Sequence, residues 1–120
     1  MLGVMPNLQP MLRIESKHKL LIEKLCPVSH NPQPGSYITI SYTAAHSFLE
    51  VYSLQTYMQS FIGGHYTEDS IFIRDMEQTV QEIARQCTLV LAVTTTVYAY
   101  LVLDCGIMEL TVSAHTCNSI

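Results

Sequence analysis

The sequence predicts an α+β fold in which a four-stranded antiparallel sheet packs against two helices on one face, in the order ββααββ. Apolar and polar residues alternate near both ends of the chain, which is typical of strands. Between these regions apolar residues recur every three to four positions, which is typical of amphipathic helices. At 120 residues we expect a single domain over residues 1–120, with a flexible segment over residues 1–10.

The first two strands are predicted over about residues 11–23 and over the stretch SYITISY, which ends at Tyr42. We expect them to pair antiparallel. Alternation in the first strand separates an apolar face from a charged one, and the charged face is either a solvated surface or an anion-facing patch. The charged face consists of Arg13, Glu15, Lys17 and Lys19.

The first helix is predicted to begin at Ser53, whose hydroxyl caps it, and to end at Gly63-Gly64. Its apolar positions share one face because they recur with the helical period. These positions are Leu54, Tyr57, Met58, Phe61 and Ile62.

The second helix is predicted to begin near Thr67 and to end near Thr88. Glu68 and Asp69 suit its start, because acidic groups interact favourably with the positive end of the helix dipole. Its apolar stripe is Phe72, Ile73, Met76, Val80, Ile83, Ala84 and Cys87.

The last two strands are predicted in VTTTVYAYLVL and IMELTVSAH, joined as a hairpin by Asp104-Cys105-Gly106. Tyr98 and Tyr100 share one strand face and are expected to fill a subunit interface rather than stack a base. Because both helices cover the same side of the sheet, we expect sheet edges and an apolar face to stay uncovered. The sequence therefore predicts a homo-oligomer.

Composition limits the function classes. Hydrophobic residues make up 48% and charged residues 13%, with six Lys and Arg against ten Asp and Glu, for a net charge of −4. This balance argues against tight, unspecific nucleic-acid binding. No apolar run is long enough to span a membrane and no secretory signal is recognisable, so we expect a cytoplasmic protein. The four cysteines form no CxxC pair and are expected to be free thiols.

Three stretches, LCPVSHNPQPGSYITISY, LEVYSLQTYMQSF and HYTED, resemble the nitrile reductases that act on 7-cyano-7-deazaguanine and their archaeosine-forming amidinotransferase relatives. The resemblance spans about residues 13–115. It implies the tunnelling fold, in which sheets of several subunits join side by side into a barrel with sites at the subunit boundaries. It also implies a purine-like substrate, carried by tRNA in the amidinotransferases.

The resemblance assigns roles to individual residues. Cys26, in Leu25-Cys26-Pro27, corresponds to the nucleophile that adds to the nitrile and forms a thioimide, which requires a thiolate. Glu68 corresponds to the glutamate that binds the base, because a carboxylate accepts two parallel hydrogen bonds from a guanidine-like edge. His65 stands in for a catalytic histidine of these families. Substrate-binding positions carried over besides Glu68 are Glu50, Ser53 and Leu54.

The chain departs from these families at four places, one of which is Thr67, where the families have the histidine that His65 replaces. Gln33 occupies the position of the proton-donating aspartate and cannot act as an acid. Glu50-Val51-Tyr52 lacks the lysine of the NADPH-binding segment, and Asp104 would repel NADPH phosphates. These losses favour ammonia addition, whereas the scarcity of basic residues disfavours a tRNA substrate. NADPH-dependent reduction of the free base is marginally favoured, because basic residues of a neighbouring subunit can replace the missing phosphate contacts.

Two other functions stay open. Zinc-dependent GTP cyclohydrolase I enzymes share the tunnelling fold, and Cys26, His30 and Cys105 offer comparable ligands for tetrahedral zinc. The spacing between Cys26 and His30 is one residue longer than in those enzymes. A non-catalytic relative that binds a base or only assembles is the other alternative, suggested by Gln33.

Overall fold

The structure is a computed structural model that describes residues 2–22 and 31–115. Within those residues the chain forms strands, two α-helices and a 3₁₀ helix, which confirms the predicted α+β class. In chain order these are β1 (Val4–Pro6), β2 (Glu15–Leu21), β3 (Tyr37–Thr43), β4 (Ser47–Leu49), α1 (Val51–Gln59), β5 (His65–Tyr66), β6 (Phe72–Ile73), α2 (Met76–Leu91), β7 (Thr95–Leu103), the 3₁₀ helix (Asp104–Gly106) and β8 (Met108–His115).

The main sheet is antiparallel and contains β2, β3, β7 and β8 in that order. Branched and aromatic residues dominate β3 and β7, and such side chains suit a pleated surface. The 3₁₀ helix joins β7 to β8, and its Gly106 has a φ of +89°, which other residues rarely adopt. The predicted pairing of the first two main strands and the predicted final hairpin are both confirmed.

One face of this sheet carries the hydrophobic core. Ile38 and Ile40 of β3 lie opposite Ala99 and Val97 of β7, and all four side chains are completely buried. Buried residues of both helices belong to the same cluster, and α2 packs against β7 and β8. The helical members are Leu54, Tyr57, Met58, Val80, Ile83, Ala84, Cys87 and Leu91.

The opposite face of the sheet carries polar and tyrosine side chains. Strand residues point alternately to the two faces, so the sequence neighbours of the buried residues point away from the helices. Cross-strand pairs on this face include Lys19 with Thr39, Thr39 with Tyr98, and Tyr37 with Tyr100. The expectation of an uncovered apolar sheet face is therefore wrong, because the helices cover the apolar face.

Helix α1 begins before its predicted start. Its cap is Glu50, whose carboxylate accepts hydrogen bonds from the backbone N–H groups of Tyr52 at 3.0 Å and Ser53 at 2.7 Å. The predicted cap by the Ser53 hydroxyl is wrong, because a carboxylate three residues earlier already satisfies these donors. The helix ends at Gln59, before the predicted Gly63-Gly64, which lie in the following turn.

Helix α2 begins nine residues after its predicted start near Thr67. A two-residue hairpin, β5 with β6, precedes it, and its connecting turn contains Ser70 with a φ of +64°, which a right-handed helix excludes. The Asp75 carboxylate caps α2 by accepting from the N–H of Gln78 at 3.0 Å. The predicted interaction of Glu68 and Asp69 with the helix dipole is therefore wrong. The helix also runs beyond Thr88, to Leu91.

The beginning of the chain differs from its prediction as well. Val4–Pro6, within the segment expected to be flexible, pairs with β4. The first strand of the main sheet covers Glu15–Leu21 rather than residues 11–23. Neither helix in the described residues is long and apolar enough to cross a membrane.

Candidate functional site

The loop between β2 and β3 contains the predicted nucleophile. Cys26 and the alternative zinc ligand His30 lie outside the described residues, and so does the side chain of Cys105. The described chain reaches this loop at Ile22, whose N–H donates to the carbonyl of Ser36 at 3.1 Å. The described chain resumes within the same loop at Asn31 and reaches β3 at Tyr37.

The second half of the loop is attached to the β7–β8 hairpin. Asn31 and Asp104 bond reciprocally, since Asn31 Nδ2 donates to Asp104 Oδ1 at 3.1 Å and Asp104 N–H donates to Asn31 Oδ1 at 3.0 Å. Gln33 N–H donates to the Val102 carbonyl at 2.7 Å, and Val102 N–H donates to the completely buried hydroxyl of Ser36 at 2.9 Å. We call these contacts, from Asn31–Ser36 to Val102–Asp104, the loop anchor.

The loop anchor contains one carboxylate, that of Asp104. Asp104 is exposed, and its Oδ1 accepts from Asn31. Gln33, at the position of the expected acid, donates from Nε2 to Asn31 Oδ1 at 3.4 Å. The described residues of the loop anchor therefore do not fit the phosphates of NADPH, because a carboxylate repels them.

Glu68 lies in the turn between β5 and β6 and belongs to a group of charged and amide side chains. Its Oε1 accepts hydrogen bonds from Arg85 Nη2 at 2.8 Å and from Gln86 Nε2 at 3.2 Å. Arg85 also donates twice to the buried Glu82, through Nε and Nη2, both at 3.0 Å. Glu68, Glu82, Arg85 and Gln86 together are the Glu68 cluster. The hydrogen bonds from Arg85 and Gln86 hold the pKa of Glu68 below its usual value.

The geometry of the Glu68 cluster allows a further donor to bind. Both hydrogen bonds from described residues end on Oε1, while the Glu68 side chain is 60% exposed. Arg85 already forms with Glu68 the kind of hydrogen bond that the guanidine-like edge of a purine-like base would form. An incoming ligand therefore has to use Oε2 or displace Gln86, the weaker neutral donor.

Tyr57 and His65 belong to one group of aromatic side chains, with ring centroids 6.2 Å apart. Tyr57 is buried, and its hydroxyl has no hydrogen-bond partner among the described residues. Burial raises the Tyr57 pKa, and the charges of Glu82 and Glu68 raise it further, so this hydroxyl stays protonated. His65 stacks on Phe61 with ring centroids 4.1 Å apart, and its Nδ1 lies 3.3 Å from the Ser60 hydroxyl.

The other carried-over positions have structural partners. Glu50 caps α1, and these backbone hydrogen bonds lower the pKa of its carboxylate. The Ser53 hydroxyl accepts from the N–H of Gly3 at 2.8 Å and donates to the Glu50 carbonyl at 3.0 Å. The Leu54 side chain is buried in the core. Glu50 and Ser53 therefore hold the start of α1 and connect it to the N-terminal segment.

The structure thus describes two separate groups of contacts. The loop anchor bonds to the β7–β8 hairpin, whereas the Glu68 cluster bonds to α2. Sequence reasoning missed Arg85, Gln86 and the buried Tyr57 hydroxyl. The spacing of Glu82 and Arg85, three apart on a helix, is a readable ion-pair signal. The contact between Arg85 and Glu68 spans seventeen positions and follows from no local pattern.

The described residues contain no group of three His, Cys, Asp or Glu side chains that could hold a metal ion. Cys87 is a free, buried cysteine. Burial raises the pKa of its thiol to about 12, so it is a poor nucleophile near neutral pH. No protein-family model matches the chain, and no curated protein matches it.

Proposed function

We propose that the protein is a cytoplasmic, homo-oligomeric tunnelling-fold enzyme that adds Cys26 to the nitrile of a 7-deazaguanine base. The observation that carries the proposal is the loop anchor, in which Asn31, on the β3 side of the Cys26 loop, bonds to the β7–β8 hairpin by a reciprocal side-chain and backbone pair. The sequential strand order of the main sheet, with both helices between β3 and β7, supports the same fold.

Attachment of the loop at Asn31–Ser36 suits nucleophilic addition, because less ordering entropy of this segment is lost when substrate binds. In the proposed step the Cys26 thiolate forms a bond to the nitrile carbon, and the carbon–nitrogen triple bond becomes a double bond. The nitrogen takes one proton and no atom leaves. Gln33 cannot supply that proton, so in this proposal it comes from solvent water.

The base binds to Glu68 in this proposal. An exposed carboxylate with a depressed pKa is ionised at neutral pH, and it accepts hydrogen bonds from the ring N–H and the exocyclic amine of a 7-deazaguanine. The described contacts of Glu68 and of the loop anchor belong to different parts of the chain. We therefore place the site at a subunit boundary, where one copy supplies Cys26 and its partner copy supplies Glu68.

The product of the second step depends on whether a hydride or ammonia reacts with the thioimide. Reduction requires two hydrides from NADPH and gives the aminomethyl base, whereas ammonia displaces the thiolate and gives an amidine. The loop anchor supplies no phosphate site, and ammonia needs none. Adding each donor to the preformed adduct and recording the small-molecule product decides between them.

Alkylation of the native protein tests the role of Cys26 independently of substrate. With iodoacetamide at pH 7.5, peptide mass spectrometry should show fast modification of Cys26 and none of the buried Cys87. Prior incubation with 7-cyano-7-deazaguanine should protect Cys26, and a zinc chelator should change nothing. Protection by zinc and release by the chelator would support the cyclohydrolase-like alternative, and slow alkylation throughout would support a non-catalytic relative.

A further inference from the structure

The sheet face that points away from the helices carries three tyrosines, of which Tyr37 packs against the other two. Tyr37 of β3 lies directly opposite Tyr100 of β7, with ring centroids 5.6 Å apart, and Tyr98 lies 6.3 Å from Tyr37. All three side chains are half-buried, so each ring retains exposed surface, and within the described residues neither helix covers them. We call Tyr37, Tyr98 and Tyr100 the tyrosine platform.

Neighbouring side chains hold these rings in place. The Tyr100 hydroxyl donates to Glu109 Oε2 at 2.7 Å, and Lys19 Nζ lies 4.4 Å from the centroid of Tyr37. Tyr98 and Tyr100 are two residues apart, so they present two successive rings along the strand, about 7 Å apart. A preorganised aromatic surface loses little entropy when a planar ligand stacks on it.

The charge beside the tyrosine platform is unevenly distributed. Lys17 and Lys19 are exposed on the same face of the edge strand β2. The negative charge of the neighbouring Glu15 is balanced by Arg13, whose Nε lies 3.7 Å from Glu15 Oε2. On the other side of the platform, Glu109 is engaged with Tyr100. The β2 side of the face is therefore cationic and complements a polyanion.

Hydroxyl groups lie further along the same strands, beyond the aromatic rings. A depression of about 360 Å³ lies beside Lys17 and is lined by Ser41, Thr43 and Thr96, among others. A hydroxyl can donate and accept a hydrogen bond, so it tolerates the edges of different bases. The face thus combines stacking surface, adaptable polar groups and a cationic edge.

We propose that this face binds an unpaired segment of single-stranded nucleic acid, with bases on the tyrosine platform and phosphates beside Lys17 and Lys19. Aromatic side chains on an open four-stranded sheet are a general means of stacking unpaired bases. Binding is weak, because only two lysines contribute and the net charge is −4. The proposal goes beyond the nitrile chemistry and uses neither the Cys26 loop nor the Glu68 cluster.

The test is fluorescence anisotropy of the full-length protein with a labelled, non-self-complementary 12-nucleotide RNA. Tyr98→Leu should weaken binding roughly five- to 150-fold, the usual cost of losing one stacked base. Tyr98→Phe should retain it, and so should Tyr52→Leu, which removes an exposed tyrosine from α1 instead. Circular dichroism melting confirms that each variant is folded.

Salt dependence provides a second readout. For two phosphate contacts to a single strand, the slope of log K against log salt should be about −1.4, an affinity loss of about sevenfold between 50 and 200 mM salt. Lys17→Gln combined with Lys19→Gln should bring the slope close to zero. Arg74→Gln, which removes an exposed cation elsewhere, should leave it unchanged.

Four outcomes would overturn the proposal. The first is equal affinity for the same RNA in a duplex, and the second is a Tyr98→Leu variant that is folded and binds normally. The third is that the wild-type protein does not bind RNA while Tyr98→Leu breaks up a homo-oligomer. This face would then be a contact between copies. Competition by uridine 5′-monophosphate at the same concentration as the RNA would contradict strand binding, because one nucleotide engages neither both rings nor both lysines.

Discussion

The Glu68 carboxylate can be neutralised with little disturbance to its neighbours. Arg85 keeps its two hydrogen bonds to the buried Glu82 when Glu68 is replaced, so no buried charge is left unpaired. Glu68→Gln should therefore shift the melting temperature by only a few degrees. It should weaken binding of a 7-deazaguanine ligand by roughly tenfold or more, because a charge-assisted pair is lost.

Isothermal titration calorimetry measures this effect, and Asp69→Asn is the matched control. Asp69 is the adjacent exposed acid in the same turn, and its replacement should leave ligand affinity unchanged. Equal affinities for wild type and Glu68→Gln would show that Glu68 serves only to bond Arg85.

His18 gives the fold a pH dependence. Burial lowers its pKa, and its Nε2 lies 3.2 Å from the Tyr42 hydroxyl, which accepts from the N–H of Leu49. The native state therefore favours the neutral imidazole and binds fewer protons than the unfolded chain does. This contribution to stability is fully present above the unfolded pKa of about 6.5 and is lost as pH falls through the lower native pKa.

Urea unfolding between pH 7.5 and pH 5 checks this expectation. The free energy of unfolding should fall on acidification, and His18→Gln should flatten that fall. His46→Gln, an exposed control, should follow the wild-type profile. Identical profiles for wild type and His18→Gln would contradict the role assigned to His18.

At the scale of elements, the four strands of the main sheet were predictable, although the first was predicted too long, whereas the short strands and the helix starts were not. Strict alternation along β3 and β7 determines which residues are buried, so it also predicts which face is covered. Helix starts depend on which side chain reaches the first N–H groups, and here Glu50 and Asp75 do so rather than Ser53 and Thr67. The sequence did not predict the Glu68 cluster, because its members come together only when the β5–β6 hairpin has formed.

Capping of α2 offers a direct test of this element. Asp75→Ala should lower the free energy of unfolding by about 1 kcal/mol, the usual cost of losing an N-cap side chain. Asp69→Ala removes the same charge outside the helix and should change it much less. A larger loss from Asp69→Ala than from Asp75→Ala, measured by urea denaturation, would place the helix start near Thr67 instead.

At the scale of the whole molecule, apolar side chains remain exposed near the sheet edges. Leu21 at the end of β2 is 80% exposed, and Ile107 before β8 is 87% exposed. Edge strands with exposed apolar ends favour pairing with another copy. We predict a homo-oligomer in multi-angle light scattering, with a mass that is a multiple of 13.5 kDa. A monodisperse monomer at micromolar concentration would contradict the barrel and the shared site.

The central claim is that Cys26 is a nucleophile, and intact-protein mass spectrometry after incubation with 7-cyano-7-deazaguanine tests it most directly. The account predicts an adduct heavier than the protein by the whole mass of the substrate, because addition loses no atom. Cys26→Ala should abolish the adduct, and Cys87→Ala should preserve it. An adduct that persists in Cys26→Ala, or no adduct in any folded variant including wild type, would contradict the claim.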